Sequence, residues 1–247
     1  MDRLKSTHPD RVSEVVARLD ETTTVDRSEA FVAVAPLRIC PLGAHVDHQG
    51  GVVTGMTVDR QVVMAAVPEK HAVVRVESLD FPGELVIELE DQGPTRAGNW
   101  GDYVRAAVAV LAKEHDLSKG IRGVIGGDLP GAGLSSSAAV LVAYLLALTR
   151  VNEIDISREE ISALVQRAEN EYVGVASGRL DQSIILFADQ DHVCVVNKQE
   201  LCVQVIDIQF LNLGADDQGI NEAGLSLGRK EIIYCLLYTS PSPRDHS

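Results

Sequence analysis

Three short stretches carry the residues able to do chemistry. The first is GGDLPGAGLSSSAAV, residues 126–140. A glycine-rich turn is followed by three consecutive serines and then by helix-forming alanines. Gly131 and Gly133 permit positive φ and close backbone approach. Free N–H groups at a helix start face an anion, and the helix dipole adds about half a positive charge there. The run Gly131, Ala132, Gly133, Leu134, Ser135, Ser136 and Ser137 therefore has the chemistry of a triphosphate cradle, with hydroxyls to donate to phosphate or to hold a divalent ion. It is not a Walker loop, because no G-x-x-x-x-G-K-[ST] occurs, and GAGLSS lacks the third glycine of a dinucleotide fingerprint. A plain strand–turn–helix connection is the alternative.

The second stretch is RICPLGAHVDHQGG, residues 38–51, and the third is RAENEYVGVASGRLDQ, residues 167–182. They supply Arg38, His45, Asp47, Glu169 and Asp181. A carboxylate of this kind can orient or accept a hydroxyl proton. Taken singly, Asp181 reads more readily as a loop acid making an Asx turn and Arg38 as a surface cation. His45, Asp47 and His48 together invite a metal, but no further His or Cys group lies at ligand spacing.

These residues must be positioned by folded elements. The chain has 247 residues, 45% of them apolar and 23% charged, with a net charge of −14. That acidity argues against a nucleic-acid surface, which needs a basic face. The four cysteines at 40, 194, 202 and 235 form no C-x-x-C pair and suggest a reducing compartment, and those at 40, 194 and 202 read as buried small apolar residues. The N-terminus lacks an apolar signal core. The longest apolar run, AAVLVAYLLAL at 138–148, is too short to span a bilayer. A cytoplasmic protein without membrane attachment is expected, and a monomer.

Periodicity predicts an amphipathic helix over 10–20, a strand FVAVAP at 31–36 running into a proline turn, then strands at 61–67, 72–79 and 84–90 as a β-meander. A helix follows over 100–115, a strand over 121–127, and a buried helix after the serines. The helix 158–173 opens on a Ser157/Glu160 capping box and stops at Gly174, with Ile161, Leu164, Val165, Ala168 and Tyr172 as its stripe. Strands HVCVVN and LCVQVID close the patterned region. Beyond about 210 the pattern decays, and YCLLYTSPSPRDHS, residues 234–247, resembles a translated sequencing adaptor.

PGAGLSSSAA resembles the ATP-binding motif of the GHMP kinases. APLRICPLGAHVDHQGG resembles the galactokinase signature, and RAENEYVGVASGRLDQ resembles that family's Gly-x-x-x-Gly-x-x-Asp-Gln segment. The resemblance implies an α+β GHMP kinase fold with a β-rich, ribosomal protein S5 domain 2-like N-terminal domain. The expected boundaries are an N-terminal extension over 1–28, that domain over 29–210, the start of a largely missing C-terminal domain over 211–233, and a non-native tail over 234–247. It further implies ATP and magnesium, with Asp181 and Arg38 at the anomeric hydroxyl, Ala44, His45 and Asp47 at the sugar, residues 131–137 at ATP, and Ser137 and Glu169 at the metal. On this expectation the chain alone has little or no activity, and the function is that of its parent.

Galactokinases place Glu where this chain has Ala44, to bind the C6 hydroxymethyl group. Against a sugar oxidised at C6, two carboxylates about 4 Å apart would repel by about 4 kcal/mol at an effective dielectric of about 20. With alanine there, the stretch resembles the plant-type galacturonokinases, which implies D-galacturonic acid as substrate and its 1-phosphate as product. A galactokinase relative tolerant of alanine, an arabinokinase whose substrate lacks C6, and a sugar sensor without turnover remain open. Intact Asp181, Arg38 and serine loop favour the enzyme. The sequence leaves unnamed the cation that would meet the C6 carboxylate.

Overall fold

The computed structural model describes residues 11–23, 29–49, 51–90, 96–128, 133–188, 192–197, 202–207 and 231–234. Gly131 and Ala132 of the glycine loop, and the regions 1–10, 211–230 and 235–247, lie outside the described residues.

The elements run α1 (Arg11–Thr22), β1 (Phe31–Leu42), a 3₁₀ turn (Ala44–Gln49), β2 (Val53–Glu69), β3 (Val73–Ser78), β4 (Glu84–Glu88), α2 (Gly101–Ala112), β5 (Gly120–Gly127), α3 (Ser136–Val151), α4 (Arg158–Arg167), a π-helical turn (Ala168–Val173), α5 (Leu180–Phe187), β6 (His192–Asn197), β7 (Cys202–Asp207) and β8 (Glu231–Tyr234). The sheet order is β4-β3-β5-β2-β1-β8, with β6 paired to one end of β2 and to β7. The expected α+β class holds, but the meander does not. β5 inserts between β2 and β3, antiparallel to the first and parallel to the second. A parallel partner requires a crossover, here by way of β4 and α2.

Strand alternation sorts the core into two layers. Phe31, Ala33, Ala35 and Leu37 of β1 face a large core shared with α2, α3 and α4. Val32 and Val34 face the other way, onto Val15, Val16 and Leu19 of α1. A sheet covered on both faces reads as unbroken apolar runs, as FVAVAP and QVVMAAV do. α3 is buried on nearly all sides, which fits a helix apolar all round.

Two differences from the sequence reading bear on function. β1 does not turn at Pro36 but continues to Leu42. Between the pairs Pro36–Gln61 and Arg38–Thr57 the register shifts, so that three residues of β2, 58–60, oppose the single Leu37. Bulges of this kind re-aim a strand beside a site. The helix begun by the Ser157/Glu160 box does not stay α-helical to 173 either. It widens into the π-helical turn at Ala168 and ends on Gly174, whose φ of 77° is the left-handed geometry glycine tolerates.

α5 is anchored by a third, smaller core: Leu180 and Ile184 pack with Val53, Cys194 and Val196, against partly buried Cys40 and Val46. Burying each of these α5 side chains contributes about 1.5–3 kcal/mol. Of the cysteines expected to be buried, Cys194 is, whereas Cys40 is only partly covered.

Candidate active site

Four elements converge where β1 leaves its regular register. Arg38 lies just past the bulge, and its backbone N–H donates to Leu134 O at 3.3 Å, tying β1 to the turn ahead of α3. Its side chain reaches α5: Nε donates to Asp181 Oδ1 at 2.8 Å and Nη2 to the same oxygen at 2.5 Å. The second carboxylate oxygen of Asp181 accepts the Ser135 hydroxyl at 2.5 Å. Arg38 and Asp181 retain 15% and 23% side-chain exposure, so the pair is screened from bulk water yet reachable. Ser135, the residue before α3, holds left-handed dihedrals of 60° and 40°. A non-glycine residue there stores about 1–3 kcal/mol of strain, an arrangement that clusters at functional sites.

Beside this pair stands a buried carboxylate. Glu169, in the π-helical turn, is 2% exposed. Its Oε1 accepts the Ser137 hydroxyl at 3.1 Å, and its Oε2 has no hydrogen-bond partner among the described residues. Burial pushes its pKa up, opposed by the Ser177 and Ser137 hydroxyls and the Arg38 charge, while the Asp181 charge adds to the rise. An orphaned, ionisable oxygen in such a place fits a site built for a cation.

The 3₁₀ turn 44–49 lies against the start of α5. Ala44 and His45 are exposed on it. Asp47 Oδ1 accepts the backbone N–H groups of Arg179 at 3.3 Å and Leu180 at 3.2 Å, so it caps the helix that carries Asp181. The fit leaves no room for a side chain at 178, where a Cβ would overlap the Asp47 carboxylate. Gln182, fully buried, donates from Nε2 to Gly178 O at 2.9 Å and closes the same corner.

A cavity of about 800 Å³ opens beside the serines. Ser136 and Ser137 form part of its wall, together with Leu37, Trp100, Tyr103 and Tyr144. Its size, its aromatic side chains and its hydroxyls at one helix start suit a nucleotide-sized ligand.

Residues 102–189 match the family described as GHMP kinases N terminal domain, and residues 22–68 match the galactokinase galactose-binding signature. The chain belongs to the GHMP kinase family, in its galactokinase-like branch. A galacturonokinase of Arabidopsis thaliana is 40% identical over 197 residues, covering 72% of this chain and 46% of the relative. A galactokinase of Pyrococcus furiosus is 36% identical over 173 residues, covering 70% and 48%. Lactococcus lactis galactokinase complexed with galactose superposes with a TM-score of 0.73 at 26% identity, over 78% of this chain and 52% of that one. A mevalonate kinase shares the fold, with a TM-score of 0.59 at 18% identity. The chain spans about half the length of the relatives it matches.

In this GHMP kinase fold the expected residues come together in pairs: Arg38 with Asp181, Ser137 with Glu169. Ser135 donates its hydroxyl to Asp181, a protein partner in place of the phosphate or metal expected for all three serines. Asp47 doubles as a helix cap. Sequence reasoning assigned no role to Trp100, Asp102 or Arg96, all in the cavity wall. The cavity draws on segments 78–82, 96–103, 125–127 and 136–144, and spacing along the chain carries no sign that they meet. The one available signal was Trp100, the sole tryptophan of the chain.

Proposed function

We propose that the protein transfers the γ-phosphoryl group of ATP to the anomeric hydroxyl of D-galacturonic acid, giving galacturonic acid 1-phosphate and ADP. The observation that carries this reading is the Asp181 carboxylate held between the Arg38 guanidinium and the Ser135 hydroxyl, next to the serines that wall the cavity. The sugar lies over the 44–49 turn with its C1 hydroxyl at Asp181. The C1 oxygen forms a new bond to the γ-phosphorus, the bond from that phosphorus to the β–γ bridging oxygen breaks, and the hydroxyl proton passes to Asp181. Arg38 holds the Asp181 carboxylate in place and offsets charge on the moving group. Positioning of this kind, with a general base, contributes about 10²–10⁴ in rate.

Glu169 and Ser137 fit a divalent ion: a buried carboxylate with one oxygen unclaimed and a hydroxyl beside it. Magnesium held there would neutralise charge on the phosphate chain. Of the run 131–137 expected at the nucleotide, Ser136 and Ser137 wall the cavity. Exposed Ala44 offers no carboxylate to repel the acid at C6, which supports galacturonate over galactose, as does the likeness to a galacturonokinase. We take residues 29–210 as the N-terminal domain of this kinase.

The test is ADP release by the full-length protein offered galacturonate, galactose, arabinose and glucuronate in parallel. Galacturonate should turn over fastest, and Asp181→Ala should abolish turnover while the fold survives. Turnover of galactose alone would refute the substrate; unchanged turnover in Asp181→Ala would refute the base. Sugar-dependent ATP binding without product would make the protein a sensor.

A further inference from the structure

A polyphosphate brings several negative charges into a chain whose net charge is already −14. The cavity wall itself includes two carboxylates, Asp80 and Asp102. Both are already answered. Asp80 accepts the Gly127 N–H at 2.7 Å and lies 3.6 Å from Arg11. Asp102 accepts the N–H groups of Ala97 and Gly98, each at 2.8 Å, and pairs with Arg105 at 3.2 Å. Neither draws on the one arginine among the described residues of the wall, Arg96. Its guanidinium has no hydrogen bond or ion pair among the described residues.

An exposed arginine is ordinarily a solvated one, and two further observations set this one apart. The first is where its side chain lies. A Cβ on Gly174 would stand 2.7 Å from Arg96 Nη1, so the guanidinium rests over the residue that ends the π-helical turn. That turn carries Glu169, whose carboxylate holds Ser137. The charges of Arg96, Glu169 and Asp102 also all act on Tyr103, another part of the wall. Arg96 thus stands at the serine and Glu169 side of the cavity. The second is how its backbone is held. Asp102, in the first turn of α2, clamps the two residues after Arg96, so the chain leaves the cavity rim in a set direction.

We infer that Arg96 is the cation of this chain that grips the phosphate chain of the bound nucleotide. This rests on the cavity being the nucleotide site. A guanidinium offers several N–H donors in a fork that matches phosphate oxygens, and desolvation within a concave wall strengthens the pairing. Asp102 acts as its positioning residue, and a glycine at 174 leaves the space the guanidinium occupies.

The experiment is isothermal titration of the full-length protein with adenosine, AMP, ADP and ATP in magnesium buffer, in wild type, Arg96→Ala, Arg96→Gln and Arg96→Lys. Wild type should tighten along the series as phosphates are added. Arg96→Ala and Arg96→Gln should bind ATP about tenfold or more weakly, leave adenosine unchanged and flatten the dependence on salt; Arg96→Lys should recover part of the loss. Equal loss for adenosine and ATP would overturn the inference in favour of a role in the cavity wall, and unchanged ATP binding would overturn it outright. If wild type binds neither adenosine nor ATP, the nucleotide reading itself fails and Arg96 loses this role with it.

Discussion

At the scale of the residue, Glu169 shows function set against stability. A carboxylate this buried, with one oxygen unpartnered, has its pKa pushed up by burial, so holding it ionised at neutral pH costs the fold. Glu169→Gln keeps the shape and removes the charge. The variant is expected to be more stable by about 1 kcal/mol in chemical denaturation, while magnesium-dependent turnover falls by about 10² or more. A variant both less stable and fully active would contradict the assignment. Asp181 is the opposite case: it is satisfied on both oxygens, by Arg38 and by Ser135, and nothing about its spacing in the chain announces either partner.

At the scale of the element, α5 is a helix of 8 residues whose aim decides where Asp181 sits. Its flank is held by Leu180 and Ile184, and its start by Asp47 across a gap that only glycine fits. Gly178→Ala drives a Cβ into the Asp47 carboxylate, and the turn 44–49 and the start of α5 must part. Overpacking of this kind costs about 1–3 kcal/mol. Turnover should fall much further than stability, because the Arg38–Asp181 contact depends on that corner. Paired measurement of kcat and of the denaturation midpoint checks this; equal sugar turnover in variant and wild type would mean that α5 finds its place without the cap.

At the scale of the molecule, acidity enters through Asp102. Burial raises its pKa, but the N–H groups of Ala97 and Gly98 and the Arg105 charge outweigh that, and the net result is a lowered value. A carboxyl lowered below its unfolded value of about 3.9 lends stability above that pH. The contribution is lost as pH falls through the folded value. Asp102→Asn should therefore be less stable than wild type at pH 7, with the gap narrowing as the pH is taken down through the acid range. The difference between the two proteins is the quantity to follow, because relief of repulsion in a chain of net charge −14 acts on both. A gap that stays constant with pH would show that the side chain acts by shape alone.

Much of the architecture was legible beforehand for a local reason. The Ser157/Glu160 box, the apolar alternation of β1 and β2, and the serines opening α3 are all set by neighbours within a turn or a strand length. The sequence by itself determined the kinds of element, the glycine and serine loop, and which side chains are chemically able. The tertiary structure decided that β1 runs on through Pro36, that β5 lies between β2 and β3, and that Asp47 caps the helix of Asp181. It alone brought Arg38 to Asp181 across 143 residues, and widely separated segments around one cavity. A period is a property of adjacent residues; the meeting of distant ones depends on how crossovers and bulges stack the sheet and its helices, and no spacing along the chain encodes that.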